Sequence, residues 1–500
     1  MKKFLSFAGF LGLLFISCSD DDTVPEEMTM TPEPVVYTSG SADFSNYVSL
    51  GNSLTAGFSD NALFIDGQEN SYPNMLASNF ALAGGGTFNI PLMADNLGGA
   101  TLGGQPILGN RLILSFATGS PLPIAVEGQG STEISNVLSG SFNNMGVPGA
   151  KSYHLLAPGY GNLAGVPIGA ANPYFARFAS SPNTTVLADA AAQNPSFFSL
   201  WIGNNDILGY VASGGAGTDQ TGNLDPSTYG GSDISDVNVV AGSINGILQT
   251  MTANGAKGVI ANLPDVTSIP FLTTVPYNPI PLDAATAELV NGAYAAYNGG
   301  LAQIQALGLI TAEELAQRTI SFAAGATNAA VIIDEDLTDL TAFNPALINM
   351  RQTTADDLLV LTSSSFIGTL ANPADPTSIN GVAVPLSDQW VLTPEEQATA
   401  NTALAAFNQV IESLATQYDI AFVDANTLFN GIRDSGFPLS DGSLVTTTFG
   451  TGGGFSLDGV HPSPRGYAIL ANAHIEAINA KYGSNLPGVN PINFTGLYID

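Results

Sequence analysis

A serine that attacks an acyl carbon needs three kinds of partner: a base, a group that orients the base, and hydrogen-bond donors for the oxyanion. The chain contains only three histidines, so the search for the base is short. His154 has Lys151 three residues before it, and His474 has Ala471. His461 has Asp458, within FSLDGVHPSPRGY (455–467). An Asp-x-x-His on a loop that enters a helix lets the carboxylate fold back onto imidazole Nδ1 and fix the tautomer, leaving Nε2 free to accept a proton. The same spacing also occurs at ordinary helix-entry turns. For the nucleophile, YVSLGNSLTAGFSD (47–60) runs from apolar residues into Gly51, Asn52 and Ser53. A Gly-Asn-Ser turn after a strand is common, so Ser53 gains meaning only from its partners.

Two further stretches could supply donors. FNNMGVPGAKS (142–152) holds a glycine-rich turn at 146–149 whose backbone N–H groups can face a ligand. LWIGNNDIL (200–208) places an asparagine at the end of a buried strand, and its amide N–H₂ is a neutral oxyanion donor. Each alone reads as a turn.

Taken in order, the four stretches resemble the blocks of the SGNH/GDSL hydrolases. They stand here as Gly51-Asn52-Ser53-Leu54, Gly149, Gly203-Asn204-Asn205-Asp206 and Asp458-Gly459-Val460-His461. The resemblance implies a three-layer α/β/α, flavodoxin-like fold with a parallel central sheet, and ester hydrolysis through an acyl-enzyme without a cofactor. It implies that Ser53 is the nucleophile, His461 the base and later the acid, and Asp458 the orienting group. The oxyanion hole would join the Ser53 N–H, the Gly149 N–H and the Asn205 side chain. Two departures stand out. Asn52 replaces the family's usual aspartate, keeping its hydrogen bonds but not its charge. The motifs also span about twice the length of a compact member, so the resemblance says little about the intervening insertions.

Elements that could position these residues follow from hydrophobic spacing. NYVSL (46–50), SFFSLWIG (196–203), GVIANLPD (258–265) and DIAFVDAN (419–426) read as buried strands. Val237, Val240, Ile244, Ile247, Leu248 and Met251 keep helical spacing, as do Leu404, Phe407, Ile411 and Leu414. Thr393 with Pro394 and Glu396 predicts a capped helix start, and Ser463-Pro464 predicts another. The alternation predicts a parallel sheet with helices on both faces, whose sites lie at the carboxyl ends of the strands. One hydrolase domain is expected over 44–485, with insertions near 82–140 and 266–390 and a tail at 486–500.

The N-terminus reads as an export signal. Lys2 and Lys3 precede an apolar run over 4–16, too short for a comfortable membrane span, followed by Ser17 and the sole cysteine, Cys18. The stretch resembles a bacterial lipoprotein signal (1–17) that leaves Cys18 lipid-bearing, with a flexible acidic tether over 18–43. The expected setting is the cell envelope, as an outer-membrane lipoprotein at the surface. A mature chain without other cysteines has no disulfide to stabilise it.

Composition excludes several classes. With 11 basic and 42 acidic residues, the surface repels nucleic acid and anionic membrane faces. The chain lacks Gly-x-Ser-x-Gly and His-Glu-x-x-His, its three histidines are scattered, and GAKS (149–152) misses the phosphate-loop pattern at Ala150. No metal is therefore expected. DEDLTD (334–339) offers calcium-type ligands but lacks the glycine and terminal Glu of a full loop, so it reads as a solvated acidic turn. The expected function is a serine esterase, lipase or acylhydrolase acting on lipid or carbohydrate esters, held to a membrane by its N-terminal lipid. The alternative is a non-catalytic ligand-binding surface lipoprotein on the same scaffold. For an acyl substrate, the apolar segments 102–126 and 269–282 would form a lid.

Overall fold

Five short strands carry the architecture: β1 (Tyr47–Gly51), β2 (Asn144–Gly146), β3 (Phe197–Trp201), β4 (Lys257–Ala261) and β5 (Ala421–Val423). Every residue of β1, β2 and β3 is buried, as expected of strands covered on both faces. The computed structural model describes residues 35–499 apart from 118 and 120. In it the strands pair only in parallel, in the order β5-β4-β3-β1-β2. Numbered by sequence this is the flavodoxin-like order 2-1-3-4-5, with a topological switch beside β1. Register then does the positioning. Gly51 is level with both Gly146 and Trp201, so three chains leave the sheet side by side toward Ser53, Gly149 and Asn205.

Helices cover both faces. On one lie α2 (Tyr72–Leu82) and α9 (Pro464–Tyr482), and on the other α3 (Val186–Ala191), α5 (Val237–Thr252) and α7 (Pro394–Gln417). Both α7 and α9 rest against β4 and β5, one from each side. The spacing that predicts α5 buries Val240, Ile244, Ile247, Leu248 and Met251. The expected capping box forms at α7, with Thr393 and Glu396 reciprocally bonded, and Ser463 caps α9. Two short helices complete the site's frame, α1 (Ser53–Ala56) after β1 and α4 (Asn205–Ala212) after β3, with α8 (Ala425–Ser435) following β5.

The insertions fold on local rules. Within 82–140, two antiparallel pairs of short strands form, Ala100–Leu102 with Gln105–Leu108 and Leu112–Ser115 with Leu122–Ala125. Within 266–390 a second apolar core gathers round Tyr294, Tyr297 and Leu301 of α6 (Ala284–Ala306). Val331–Ile333 pairs with Met350–Gln352 beside it. Arg351 is buried there between Asp334 and Asp357, the latter held at 2.7 Å by two guanidinium nitrogens. Asp334 is thus part of a buried ion triad, a correction to the reading of 334–339 as a solvated turn.

Both expected chain ends are more engaged than their composition indicates. The signal peptide 1–17, Cys18 and most of the tether lie outside the described residues. The chain is held from Thr38, short of the expected tether end at 43: Thr38 N–H donates to Asn485 Oδ1 (2.6 Å) and Ser41 N–H to Tyr482 O (2.7 Å). The expected tail 486–500 also packs down. Leu486 is buried, Val489 N–H donates to Asn472 Oδ1 (2.8 Å), and the Arg111 guanidinium sits between the Phe64 and Tyr498 rings at 5.0 and 4.7 Å. No described helix is long and apolar enough to cross a membrane.

Candidate active site

Ser53 is the first residue of α1, so its N–H has no acceptor within the helix. Asn52 caps that helix: its Oδ1 accepts from Leu54 N–H (3.0 Å) and its Nδ2 donates to Asn204 Oδ1 (3.1 Å). Blocks 152 positions apart are thereby bonded side chain to side chain at the sheet's switch point. Gly51 is needed just before this turn, because a Cβ there would meet Trp201 O at 2.4 Å.

His461 reaches Ser53 from the loop before α9. Its Nε2 lies 2.9 Å from Ser53 Oγ and its Nδ1 lies 2.9 Å from Asp458 Oδ2. Asp458 accepts on every side: Oδ1 from Ser456 Oγ (3.0 Å), Val460 N–H (2.9 Å) and His461 N–H (2.8 Å), and Oδ2 from Asn61 N–H (2.9 Å). Burial alone would raise the Asp458 carboxyl, but the adjacent imidazole and the N–H donors outweigh it and hold it at about 2. The Phe58 ring packs 4.7 Å from the imidazole and limits its tilt.

Asn205 begins α4, and its Nδ2 donates to Ala150 O (2.9 Å), next to Gly149 in the turn. Gly149 adopts φ +80°, a left-handed conformation that favours glycine. The following residue pair ties the two blocks further: Asp206 accepts from Ser152 N–H (2.7 Å) and Ser152 Oγ (3.0 Å). Lys151 is buried and donates to the Gly230 and Asp233 carbonyls, so it braces the turn. The other histidines stand apart. His154 bonds Lys151 N–H, and His474 stacks on Tyr72; burial pushes both down to about 4, and both stay neutral.

Ser53, Asn205 and His461 border one cavity of about 100 Å³ that is partly open to solvent. Its walls are apolar, among them Leu208, Val266, Leu428, Phe429, Ile432 and Ile469. Gly149 and Asp458 are not among the lining residues. The expected lid is corrected in part: Ile269 borders the cavity, but no residue of 102–126 does, because those strands pair with each other and lie by Tyr498. α8, which no motif marks, supplies much of the wall. Asp60, Asn61 and Ser456 also bear on the site without a sequence signal beyond an Asp-Asn pair, whose tolerance of positive φ suits a turn (φ +50° and +64°). The one group of acidic side chains close enough to hold a metal, among the described residues, lies elsewhere, at Glu335, Asp388 and Glu396.

No family model matches the chain, and no curated protein matches it. Among solved structures it is similar to a protein described as a GDSL-like lipase from Parabacteroides merdae, with 12% identity, 89% of this chain and 100% of that chain covered, and a TM-score of 0.31. An extracellular lipase from Streptomyces rimosus gives 11% identity, 87% and 99% coverage and 0.31. A variant of an acetyl-xylooligosaccharide esterase from Geobacillus gives 10%, 88%, 96% and 0.31. At such scores the layer order rests on its own strand pairing and not on the likeness.

Proposed function

We propose that this chain is a serine ester hydrolase of the SGNH/GDSL type. The observation that supports it most is the unbroken hydrogen-bonded line Ser53 Oγ–His461–Asp458, with both heavy-atom distances at 2.9 Å. Those are distances at which a general base works. His461 Nε2 takes the proton as Ser53 Oγ attacks the ester carbonyl, and Asp458 stabilises the imidazolium without itself taking the proton. The oxyanion is met by the Ser53 N–H, the Gly149 N–H and the second amide hydrogen of Asn205, whose first is spent on Ala150. His461 returns the proton to the leaving alcohol, and water then releases the acid by the same steps in reverse. The apolar cavity beside Ser53 favours an acyl group of lipid character over an acetylated sugar. Export and lipid attachment at Cys18 belong to this proposal as well, and labelled fatty acid should enter the wild-type chain and not Cys18→Ser.

The test is hydrolysis of p-nitrophenyl esters from acetate upward by the chain lacking residues 1–18, beside Ser53→Ala. Loss of the hydroxyl should lower kcat/KM by about 10⁴–10⁶-fold. Equal rates in both proteins, or no turnover of any ester by either, would refute the proposal and favour a binding protein.

A further inference from the structure

Three carboxylates that take no part in the site above come together where the 266–390 insertion meets the sheet's helices. Glu335 follows the strand Val331–Ile333, Asp388 opens the turn Asp388–Trp390, and Glu396 lies in the first turn of α7. One oxygen from each lies within 4.8 Å of the others. Glu396 is only 5% exposed; its Oε2 accepts from Thr393 N–H (2.6 Å) and Thr393 Oγ1 (2.9 Å), while Oε1 is buried without a protein hydrogen-bond partner. No lysine or arginine pairs with any of the three among the described residues. Arg351, near Glu335 in sequence space through its partner Asp334, is committed to Asp334 and Asp357.

We propose that Glu335, Asp388 and Glu396 bind a calcium ion that joins the insertion to the hydrolase core. An all-carboxylate set selects a hard cation. Calcium takes oxygens at about 2.3–2.6 Å in flexible geometry, so oxygens on one ion can stand up to about 5 Å apart; the smaller magnesium shell demands a near-ideal octahedron and keeps more waters. Glu335 is exposed, leaving that side open for water ligands. The buried Glu396 Oε1 gains the partner it lacks. The consequence reaches the active site, because α7 packs on α4, the helix that begins at Asn205. Tyr210 of α4 lies within electrostatic reach of the same three carboxylates. The ion thus braces the element that aims the oxyanion amide, without touching the substrate.

The competing way to neutralise the cluster is protonation, since burial raises the Asp388 and Glu396 carboxyls to about 6 and about 8. The full chain, stripped with EDTA, is melted in the presence and absence of 1 mM CaCl₂ or MgCl₂, and titrated with Tb³⁺, whose luminescence Trp390 can sensitise from two residues beyond Asp388. Calcium should raise Tm by about 2–5 °C, more than magnesium does. Tb³⁺ should give a saturable signal that calcium displaces, and Glu335→Gln and Asp388→Asn should each weaken binding at least tenfold. Glu335 is exposed, so its variant tests the site without disturbing the α7 cap. An unchanged Tm with no saturable Tb³⁺ signal overturns the proposal. So does a calcium response that both variants retain, or an Asp388→Asn chain that gains Tm in EDTA while calcium adds nothing to the wild type, which would identify shared protons instead.

Discussion

Asp60 holds the loop that carries Asp458 at two points. Its N–H donates to Ser456 Oγ (2.9 Å), which in turn donates to Asp458 Oδ1, and its Oδ1 accepts from Leu457 N–H (2.9 Å). The next residue, Asn61, donates its N–H to Asp458 Oδ2. A turn seven and eight residues past Ser53 therefore sets the position of the carboxylate that bonds His461.

Asp60 carries a price for this. It is 1% exposed, and its Oδ2 has no hydrogen-bond partner among the described residues. Burial, followed by the charge of Asp458, pushes its carboxyl up to about 7 against the pull of Leu457 N–H, Arg111 and His461. The folded protein then holds a proton that the unfolded chain releases near pH 4, so the stabilising contribution is full below that pH. It is lost as pH rises through about 7, and the linked change is of order 3–4 kcal/mol. Asp60→Asn, which keeps the shape and cannot ionise, should gain on the wild type as pH rises, with a larger advantage at pH 8 than at pH 5. Urea midpoints at the two pH values check this; parallel curves would mean that Asp60 is not buried as described.

Asn52 separates the structural from the electrostatic role of the residue before Ser53. As helix cap and as donor to Asn204 it ties β1's end to β3's. Asn52→Ala removes both bonds and should cost about 0.5–2 kcal/mol, with a fall in kcat. Asn52→Asp keeps the cap acceptor, and the Asn204 amide can turn to donate, so it should retain near wild-type stability. Thermal melts and ester turnover of the pair decide it. A larger activity loss in the aspartate than in the alanine variant would contradict this account.

What the sequence disclosed and what it concealed divide along one physical line. Ser53, Asn205 and His461 stand beside strand ends and helix starts, where local rules operate: an apolar run, a capping residue, a proline at the first helical position. Thr393 and Glu396 were legible as a capping box for the same reason. The other half of Glu396, its approach to Glu335 sixty-one positions earlier and to Asp388 across the turn before α7, was not, since no local pattern couples those carboxylates. Asp60 was hidden because an Asp in a left-handed turn looks like any other polar turn residue. Asp334 read as solvated because its partner Arg351 belongs to the facing strand. The α8 wall was missed because its apolar residues face a cavity rather than a core, and spacing does not distinguish the two.

The buried ion triad in the insertion gives a stability prediction. Arg351 is 2% exposed and its charge is balanced by Asp334 and Asp357. Removing the cation leaves two buried carboxylates facing each other, so Arg351→Ala should cost about 3–5 kcal/mol. The neighbouring Asp356 is exposed, and Asp356→Asn should change stability by less than about 0.5 kcal/mol. Calorimetry of both variants checks the contrast. Hydrogen exchange should show the lost protection first in α6, which the triad's strand packs beside.

Under the proposed ester hydrolysis, the cavity wall predicts an acyl preference. Leu428 and Ile432 on α8 and Ile469 on α9 face the space beside Ser53. Each methylene moved from water onto that surface contributes about 0.8 kcal/mol, close to a fourfold gain in kcat/KM, until the cavity is filled. The gain should appear in kcat/KM across an ester series from acetate upward and then level off. Leu428→Trp places a ring in the space and should bring the plateau to shorter chains: acetate turnover should stay within about twofold of wild type while octanoate turnover falls at least tenfold. Leu428 is half-buried on a surface helix, so the larger side chain has room to be accepted without unfolding. If acetate and octanoate fall together, the ring has disturbed Ser53 or His461 and the cavity is not the acyl site. If neither falls, the acyl chain lies along another wall, and the same substitution at Ile469 would locate it.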